Sequence, residues 1–281
     1  MDNQIIIVNK EKGPTSRDVV NKLCKILNTK KIGHTGTLDP LASGVLVVAT
    51  GRYTKLVDKL TSLDKEYIAT VKLGIMTDTL DVTGTVLKQQ KYSITKGDLE
   101  KTLDSFVTTY EQTVPAYSAV KINGKKLYEY ARNNEEIKLP KRPVTIKSIE
   151  LLDFYETGFK FKVKVSKGTY IRSLIKDVCN KLDTIGVMED LIRTAQGNFK
   201  IENSYTLEDI ASNKYKSLNI KEALNYPIIE IDDETFFKVK NGVQLEKNLI
   251  DGKYIFTYLN EDIAIYEFKD NVGKMDFLIQ I

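Results

Sequence analysis

The residues best suited to chemistry lie in one short stretch, residues 33–48, which holds the only histidine of the chain, His34, and an aspartate, Asp39. Glycines at positions 33, 36 and 44 flank these two residues and allow backbone angles that other residues resist. The apolar run Val45–Val48 that follows is typical of a buried strand. The stretch therefore predicts a tight polar loop mounted on a core element, where catalytic residues are often placed.

A structural interpretation of Asp39 competes with the catalytic one. Pro40 follows Asp39, and an aspartate N-cap with proline at the first helical position is a common helix start. In that interpretation the carboxylate only caps a helix that begins at Pro40. A single histidine on a loop is also more often structural than catalytic, so composition alone does not decide between the two interpretations.

The composition is that of a soluble globular protein. The 281 residues are 42% hydrophobic and 28% charged, and no apolar run approaches the ~20 residues of a membrane-spanning helix. The N-terminal residues lack the pattern of a signal peptide. Two distant cysteines, Cys24 and Cys179, and one histidine favour neither a disulfide framework nor a zinc site. We expect a cytoplasmic protein without a bound metal.

Charge is distributed unevenly along the chain. Residues 226–281 contain 11 Asp and Glu against 6 Lys and Arg, a net charge of −5. The preceding 225 residues contain 36 Lys and Arg against 27 Asp and Glu, a net charge of +9. This asymmetry predicts a polyanionic partner that is held mainly by residues 1–225, although a solvated lysine-rich surface has the same composition.

Hydrophobic periodicity predicts two domains. Over residues 1–225, strands are expected at residues 5–8, 65–74 and 159–165, and helices at residues 18–27, 95–106 and from the segment 166–174 to about residue 182. Arg172 falls near the start of the last helix, where the helix dipole favours acids, so we expect it to have a specific acidic partner. From Tyr226 the pattern changes to short strands and turns, which predicts a small β domain at residues 226–281.

The segment His34-Thr-Gly-Thr-Leu-Asp39-Pro-Leu-Ala-Ser-Gly resembles the catalytic loop of the TruB family, the tRNA pseudouridine-55 synthases of bacteria. Five further segments resemble motifs of the same family: residues 10–16, 65–84, 112–132, 167–172 and 191–199. The sequence departs from those motifs at Glu11, Val114 and Ile192. The resemblance covers about residues 5–210. It implies an α+β fold in which a mixed, mostly antiparallel central sheet has flanking helices, followed by a small PUA-like β domain.

The resemblance also implies an activity, the isomerisation of uridine 55 in the TΨC loop of tRNA to pseudouridine. This reaction detaches uracil from C1′ and rejoins it through C5, so it consumes no outside atom and needs no cofactor. Asp39 would be the nucleophile, with attack at C1′, attack at C6 and assistance to base expulsion all left open. Arg172 would pair with Asp39. Tyr67 would pack on the uracil ring and is a plausible acceptor of the C5 proton.

Further site residues come from the same resemblance. Tyr170 and Leu191 would line the pocket, and Asp81 would help to orient Arg172. His34 would fill the stack that the flipped uridine leaves. Lys10 would contact a phosphate or the active site, although a solvated loop lysine is an equally good interpretation. We expect tRNA as the partner, with no obligate protein partner and a monomeric chain.

Two other functions are compatible with parts of the sequence. A basic body with interleaved tyrosines would also suit an RNA-binding or RNA-folding module, but such a module has no need of Asp39, Tyr67 and Arg172 together. The chain could instead modify another RNA, as the guide-directed relatives do in assemblies with partner proteins. It has no obvious long extension for docking such partners.

Overall fold

The computed structural model describes residues 3–279. The α-helices are α1 (Ser16–Ile26), α2 (Val57–Thr61), α3 (Lys96–Ser105), α4 (Leu127–Arg132), α5 (Ile171–Lys181), α6 (Leu207–Ala211), α7 (Ile220–Leu224) and α8 (Asp233–Lys240). Short 3₁₀ helices occupy Gly51–Leu56 and Ile201–Asn203. The strands are β1 (Ile5–Lys10), β2 (Ile32–His34), β3 (Ser43–Thr50), β4 (Lys65–Leu73), β5 (Ile75–Thr77), β6 (Val86–Gln89), β7 (Thr109–Thr113), β8 (Lys121–Ile122), β9 (Lys125–Lys126), β10 (Lys141–Tyr155), β11 (Gly158–Val165), β12 (Gly186–Gln196), β13 (Phe199–Lys200), β14 (Ile228–Glu230), β15 (Leu245–Glu246), β16 (Gly252–Tyr258), β17 (Glu261–Lys269) and β18 (Val272–Leu278).

The central sheet has the order β1-β3-β12-β4-β11-β10-β7, with β2 paired to β3 and β13 paired to β12. Its strand pairs are antiparallel except for the short parallel contact between β12 and β3. Helices α3 and α5 pack on one face of β4, β10, β11 and β12 through their apolar residues. This arrangement confirms the predicted α+β fold with a mostly antiparallel sheet and flanking helices.

Alternation along β4 and β11 decides which side chains face those helices. Tyr67 is opposite Val163 in the register of the two strands, and both side chains are buried in the helix-covered core. The intervening positions of β11 are lysines that point to the other face. β11 therefore has an apolar face and a lysine face, and Tyr67 of β4 lies on the apolar side of the sheet.

The residues after Tyr226 form a second sheet, with the order β14-β16-β17-β18-β15. The predicted strands are present, but the sequence did not reveal α8, which follows β14 and has Asp232 as its N-cap. Apolar side chains of this sheet join a core cluster with β1 and β3, so the two sheets share buried surface. The domain boundary between Asn225 and Tyr226 stays a prediction. Among residues 3–279, no helix has both the length and the apolarity required to cross a membrane.

Candidate active site

Asp39 lies in the loop between β2 and β3, where it opens a β-turn. The amide of Ala42 donates to the carbonyl of Asp39 over 3.0 Å, which places Pro40 at the second position of the turn. Aspartate is favoured at the first position of common β-turns and proline at the second. The alternative prediction of a helix that begins at Pro40 is wrong, because the Asp-Pro pair serves this turn instead.

Arg172, the second residue of α5, forms an ion pair with Asp39, in which Nε lies 2.9 Å from Oδ2. Its Nη1 and Nη2 atoms donate to the carbonyl oxygens of Thr79 and Tyr117 at 2.9 and 3.0 Å. The Arg172 side chain is 6% exposed and the Asp39 side chain is 37% exposed. A buried, immobilised arginine thus holds a carboxylate that remains open to solvent. Asp39 is the acidic partner that the position of Arg172 at a helix start predicts.

Asp81 supports Arg172 through the backbone rather than by direct contact. Its Oδ1 atom accepts hydrogen bonds from Thr79 Oγ1 at 2.8 Å, from the Thr83 amide at 2.9 Å and from Thr83 Oγ1 at 2.6 Å. These bonds hold the turn that presents the Thr79 carbonyl to Arg172. The geometry fits the predicted orienting role of Asp81 by this indirect route.

A cleft of about 280 Å³ opens beside the Asp39 carboxylate, and its lining includes Tyr67, Tyr170 and Leu191 together with Arg172. Tyr67 and Leu191 are only 7% and 6% exposed, so both form firmly packed walls. The volume lies near the lower end of ordinary ligand pockets, roughly 300–1,000 Å³. The cleft therefore suits a single small ring with its sugar, placed between a carboxylate and an aromatic side chain.

Tyr170 is fixed at the start of α5. Its amide donates to Gln112 Oε1 over 2.8 Å, and its ring centroid lies 5.8 Å from the Arg142 guanidinium carbon. Burial raises the pKa of the Tyr170 phenol, against the opposing effect of the Arg142 charge. The phenol is therefore protonated at neutral pH and can donate a hydrogen bond into the cleft.

His34 is not among the residues that line the cleft. It lies in β2, opposite Val48 of β3. Burial lowers the pKa of its imidazole, and the positive charges of Arg17 and Arg193 act in the same direction. Both effects favour the neutral imidazole. The role of His34 in filling the RNA stack that a flipped uridine leaves stays a prediction.

Lys10 also lies outside the cleft lining, and its predicted substrate contact stays a prediction. The side chain is 1% exposed, and its Nζ atom donates to the carbonyl oxygens of Ala42 at 2.6 Å and Glu11 at 3.0 Å. Burial lowers the pKa of Lys10 to about 8, although the nearby Asp39 charge opposes this. The buried ammonium group, which donates to two carbonyl oxygens, therefore holds the loop that carries Asp39, and the alternative of a solvated loop lysine is wrong.

The N-terminal segment 10–16 makes hydrogen bonds to the Asp39 loop at two more residues. The Gly13 amide donates to the Pro40 carbonyl over 2.8 Å. The buried Ser16 hydroxyl accepts from the Leu38 amide at 2.8 Å and donates to the Leu38 carbonyl at 3.2 Å. Either Thr15 or Ser16 could have capped α1, and the structure shows that Thr15 is the cap. Because Ser16 does not cap the helix, its hydroxyl can bond the backbone of Leu38, the residue before Asp39.

Arg193 is the cleft residue that sequence reasoning missed. It lies in β12, is 2% exposed, and donates to the Tyr67 hydroxyl and to carbonyl oxygens of the catalytic loop. Its position could have marked it as a site residue. Arg193 lies two residues after Leu191, on the same side of a strand, within the segment 191–199 that resembles a family motif. Sequence alone does not show that such an arginine points inward.

Comparison with known proteins places the chain in a family. The family described as "TruB family pseudouridylate synthase (N terminal domain)" matches residues 24–171. A "tRNA pseudouridine synthase B" of Bacillus cytotoxicus is 43% identical, over 94% of this chain and 92% of the relative. The protein of the same name from Fusobacterium nucleatum is 44% identical, over 95% of this chain and 96% of the relative.

The chain belongs to the TruB family of pseudouridylate synthases. It is therefore an isomerase, and the resemblance of the segment around Asp39 to the family's catalytic loop is confirmed as a family relationship. The same relationship makes the Asp39–Arg172 cleft the natural candidate for the active site of this TruB-family chain.

Solved structures show the same fold. The chain superimposes with a TM-score of 0.74 on a structure titled "Crystal Structure of a Cbf5-Nop10-Gar1 Complex", at 26% identity, over 98% of this chain and 83% of the other. An H/ACA RNP "bound to a substrate RNA containing 2'-deoxyuridine" gives the same TM-score at 24% identity, over 99% of this chain and 85% of the other. The fold likeness thus extends through the C-terminal sheet of this TruB-family member.

Proposed function

We propose that this chain converts uridine 55 in the TΨC loop of tRNA into pseudouridine. The observation that carries the proposal is the buried Arg172 that holds the solvent-open Asp39 carboxylate at 2.9 Å, beside a cleft walled by Tyr67. The cleft is too small for a base within an intact stack to enter with its neighbours. The target uridine must therefore be flipped out of the loop, which costs a few kcal/mol.

Each site residue has a role in this proposal. Asp39 acts as the nucleophile, and Arg172 fixes the position of its carboxylate. Tyr67 packs on the uracil ring and holds it while it is detached from the sugar. Tyr170 and Leu191 close the sides of the pocket. His34, whose neutral form burial favours, fills the space in the RNA stack that the flipped base leaves.

The test uses purified chain and a synthetic TΨC stem-loop that carries 5-tritiated uridine at position 55. We expect tritium release together with a pseudouridine product that mass spectrometry locates at that position after chemical derivatisation. A stem-loop with cytidine at position 55 and tritiated uridines elsewhere is the matched control and should release no tritium. Binding without product would favour the RNA-binding module instead and would overturn the proposal.

A guide-directed synthase is the second candidate, because the structural neighbours include an H/ACA RNP and a Cbf5-Nop10-Gar1 complex. The relatives named tRNA pseudouridine synthase B are much closer in sequence, at 43% and 44% identity. We therefore propose that the chain acts as a monomer without protein partners, in the cytoplasm. Turnover by the purified chain alone, combined with sedimentation of the active fraction as a monomer, tests both points.

For residues 226–281 we propose a PUA-like domain that adds little to the electrostatic binding of RNA. Support comes from the net charge of −5 in this region, against +9 in the rest of the chain. Log affinity for the stem-loop should fall with log salt, by ~0.7–0.9 for each phosphate neutralised. Charge reversal of exposed lysines before residue 226 should reduce that slope, whereas Lys240→Glu and Lys247→Glu should leave it unchanged.

A further inference from the structure

Arg193 makes four hydrogen bonds from one side chain. Its Nε atom donates to the Tyr67 hydroxyl at 3.2 Å, and Nη1 donates to the carbonyl oxygens of Gly36 at 3.2 Å and Val45 at 3.1 Å. Its Nη2 atom donates to the Thr37 carbonyl at 3.2 Å. The side chain is 2% exposed, so it lies inside the protein and presents almost no surface to RNA.

These bonds connect four segments from three distant regions of the chain, because the Asp39 loop leads directly into β3. Arg193 belongs to β12, Gly36 and Thr37 to the loop that carries Asp39, Val45 to β3 and Tyr67 to β4. A single guanidinium thus joins the loop of the proposed nucleophile to the hydroxyl of Tyr67, which lines the same cleft. Because the guanidinium is planar and rigid, its five N–H groups fix the relative positions of their acceptors.

The backbone of Arg193 is held as closely as its side chain. Arg193 is opposite Gly44 in the parallel pairing of β12 with β3. A Cβ atom at Gly44 would lie 2.3 Å from the Arg193 carbonyl oxygen, and Gly44 has a φ of +98°. Only glycine permits this approach. The start of β3, directly after the catalytic loop, is thereby pressed against the strand that supplies the arginine.

Fold stability alone is a poor reason for this arrangement. Within residues 3–279, Arg193 has no carboxylate within ion-pair distance, and its acceptors are neutral. A buried cation without an opposite charge is unfavourable. Burial is the main cause of the lowered pKa values, about 8 in each case, of the neighbouring Lys10 and Lys65, and the Arg193 charge lowers them further. An apolar side chain would fill the space with less electrostatic penalty.

We infer that Arg193 is a positioning residue for the isomerase reaction, which sets the separation of the Asp39 loop from the Tyr67 hydroxyl. The inference rests on the proposed function, because Asp39 and Tyr67 are the groups that it positions. Because Arg193 is 2% exposed, we assign it a place behind the wall of the cleft, where it acts on the substrate only through Asp39 and Tyr67. Misplacement of reacting groups by about 1 Å can lower a rate about 100-fold, so the effect should be large although the residue is hidden.

The first test compares Arg193→Lys with Arg52→Lys, an exposed arginine that bonds the Ile279 carbonyl far from the cleft. Lysine keeps the charge but has no fork to span the four acceptors. We expect Arg193→Lys to lower the single-turnover rate about 10- to 100-fold, with stem-loop affinity within about twofold of wild type. Arg52→Lys should match wild type in both. A wild-type rate for folded Arg193→Lys would overturn the inference.

Arg193→Gln is a second variant in case the lysine variant does not fold, because it removes the buried charge and retains an amide donor. It should show the same loss of rate without loss of RNA affinity. A double-mutant cycle with Tyr67→Phe then separates positioning from general loosening. If Arg193 acts through the Tyr67 hydroxyl, either Arg193 substitution should have a smaller effect in the Tyr67→Phe background. Independent, multiplicative effects would count against the inference.

Hydrogen exchange gives a readout that needs no activity and no change at position 193. Tyr67→Phe removes one of the four acceptors, so amides of residues 35–45 should exchange faster than in wild type, while amides of the C-terminal sheet should not change. Unchanged exchange in residues 35–45 would overturn the inference even if the variant were inactive. Absence of pseudouridine formation by wild type, with the exchange result as expected, would instead overturn the proposed function alone.

Discussion

The cleft and the C-terminal sheet of this TruB-family chain are stabilised by different kinds of contact. Around the cleft, three buried cations, Lys10, Arg172 and Arg193, donate to backbone carbonyl oxygens from several segments. The C-terminal sheet has an aromatic interior in which Phe256 and Tyr266 stack with centroids 4.9 Å apart. One region is fixed by directional bonds and the other by apolar packing.

This difference predicts how each region responds to substitution. A hydrogen bond weakens steeply when its angle or length changes, so a conservative replacement near the cleft should alter geometry and activity. Apolar packing is not directional, so a truncated side chain in the C-terminal sheet should lower stability and leave the geometry of the cleft intact. Four substitutions test the comparison.

Asp39→Asn should have the largest effect, a loss of pseudouridine formation of at least about 10⁴-fold, as for other enzymes that lose a nucleophile. Asparagine is also favoured at the first position of the turn, so the fold should be unchanged. Tritium release and filter binding measured side by side should show no product and near-normal affinity. The exposed Asp104→Asn is the matched control. Retained product formation would exclude Asp39 as the nucleophile.

Arg172→Lys should be the next most severe change, although it conserves charge. Lysine cannot grip the Asp39 carboxylate and the Thr79 and Tyr117 carbonyl oxygens together, so we expect a loss of rate of about 10²- to 10³-fold. Leaving buried carbonyls without their donor should also lower the free energy of unfolding by about 1–3 kcal/mol. Single-turnover kinetics and urea unfolding measure the two effects. Wild-type kinetics would show that the ion pair has no role in the reaction.

Ile265→Ala in β17 should give the opposite pattern. The side chain is fully buried in the core cluster that the C-terminal sheet shares with β1 and β3. Its truncation should lower the free energy of unfolding by about 2–5 kcal/mol, while the rate per folded molecule stays within about twofold. Leu259→Ala, at a position 73% exposed, should change stability by less than about 0.5 kcal/mol. A large loss of rate in folded Ile265→Ala would break the comparison.

Of the cleft and core substitutions that change stability, Lys10→Met should have the smallest effect, and the size of that effect should depend on pH. Burial lowers the pKa of Lys10 to about 8 in the folded protein from 10.5, so the unfolded chain binds more protons between those values. The free energy of unfolding of wild type should therefore rise relative to Lys10→Met between pH 8 and 10.5, by about 1–2 kcal/mol. Neutral Lys10 retains two N–H groups for its two carbonyl acceptors. A difference that is constant with pH would contradict this titration.

Much of the fold around the site followed from local patterns. Alternation predicted β4 and β11, and the apolar run after the loop predicted the buried centre of β3. The expectation of an acidic partner for Arg172 came from its place at a helix start, and the structure supplies Asp39. Periodicity and dipole arguments succeed here because they depend on a few adjacent residues.

Local patterns left three features of the structure open or unpredicted. Asp39-Pro40 suits both a helix start and a β-turn, and hydrogen bonds from the N-terminal segment accompany the turn that forms. Lys10 was expected either to contact a phosphate or the active site or to be solvated, and the structure shows it buried and bonded to the carbonyl of Ala42, 32 residues later. α8 was missed within a region whose turn residues indicated strands only.

The sequence by itself determined the family, the α+β class, four strands of the central sheet (β1, β3, β4 and β11) and the choice of Asp39, Tyr67 and Arg172 as the groups to examine. Only the tertiary structure decided that Lys10 and Ser16 hold the loop, that Arg193 faces inward, and that the C-terminal sheet shares a core with β1 and β3. The physical reason is the separation along the sequence of the residues that interact. Side-chain period and turn chemistry are read within a few residues, whereas the acceptor of a buried cation can come from any segment that folding brings near it.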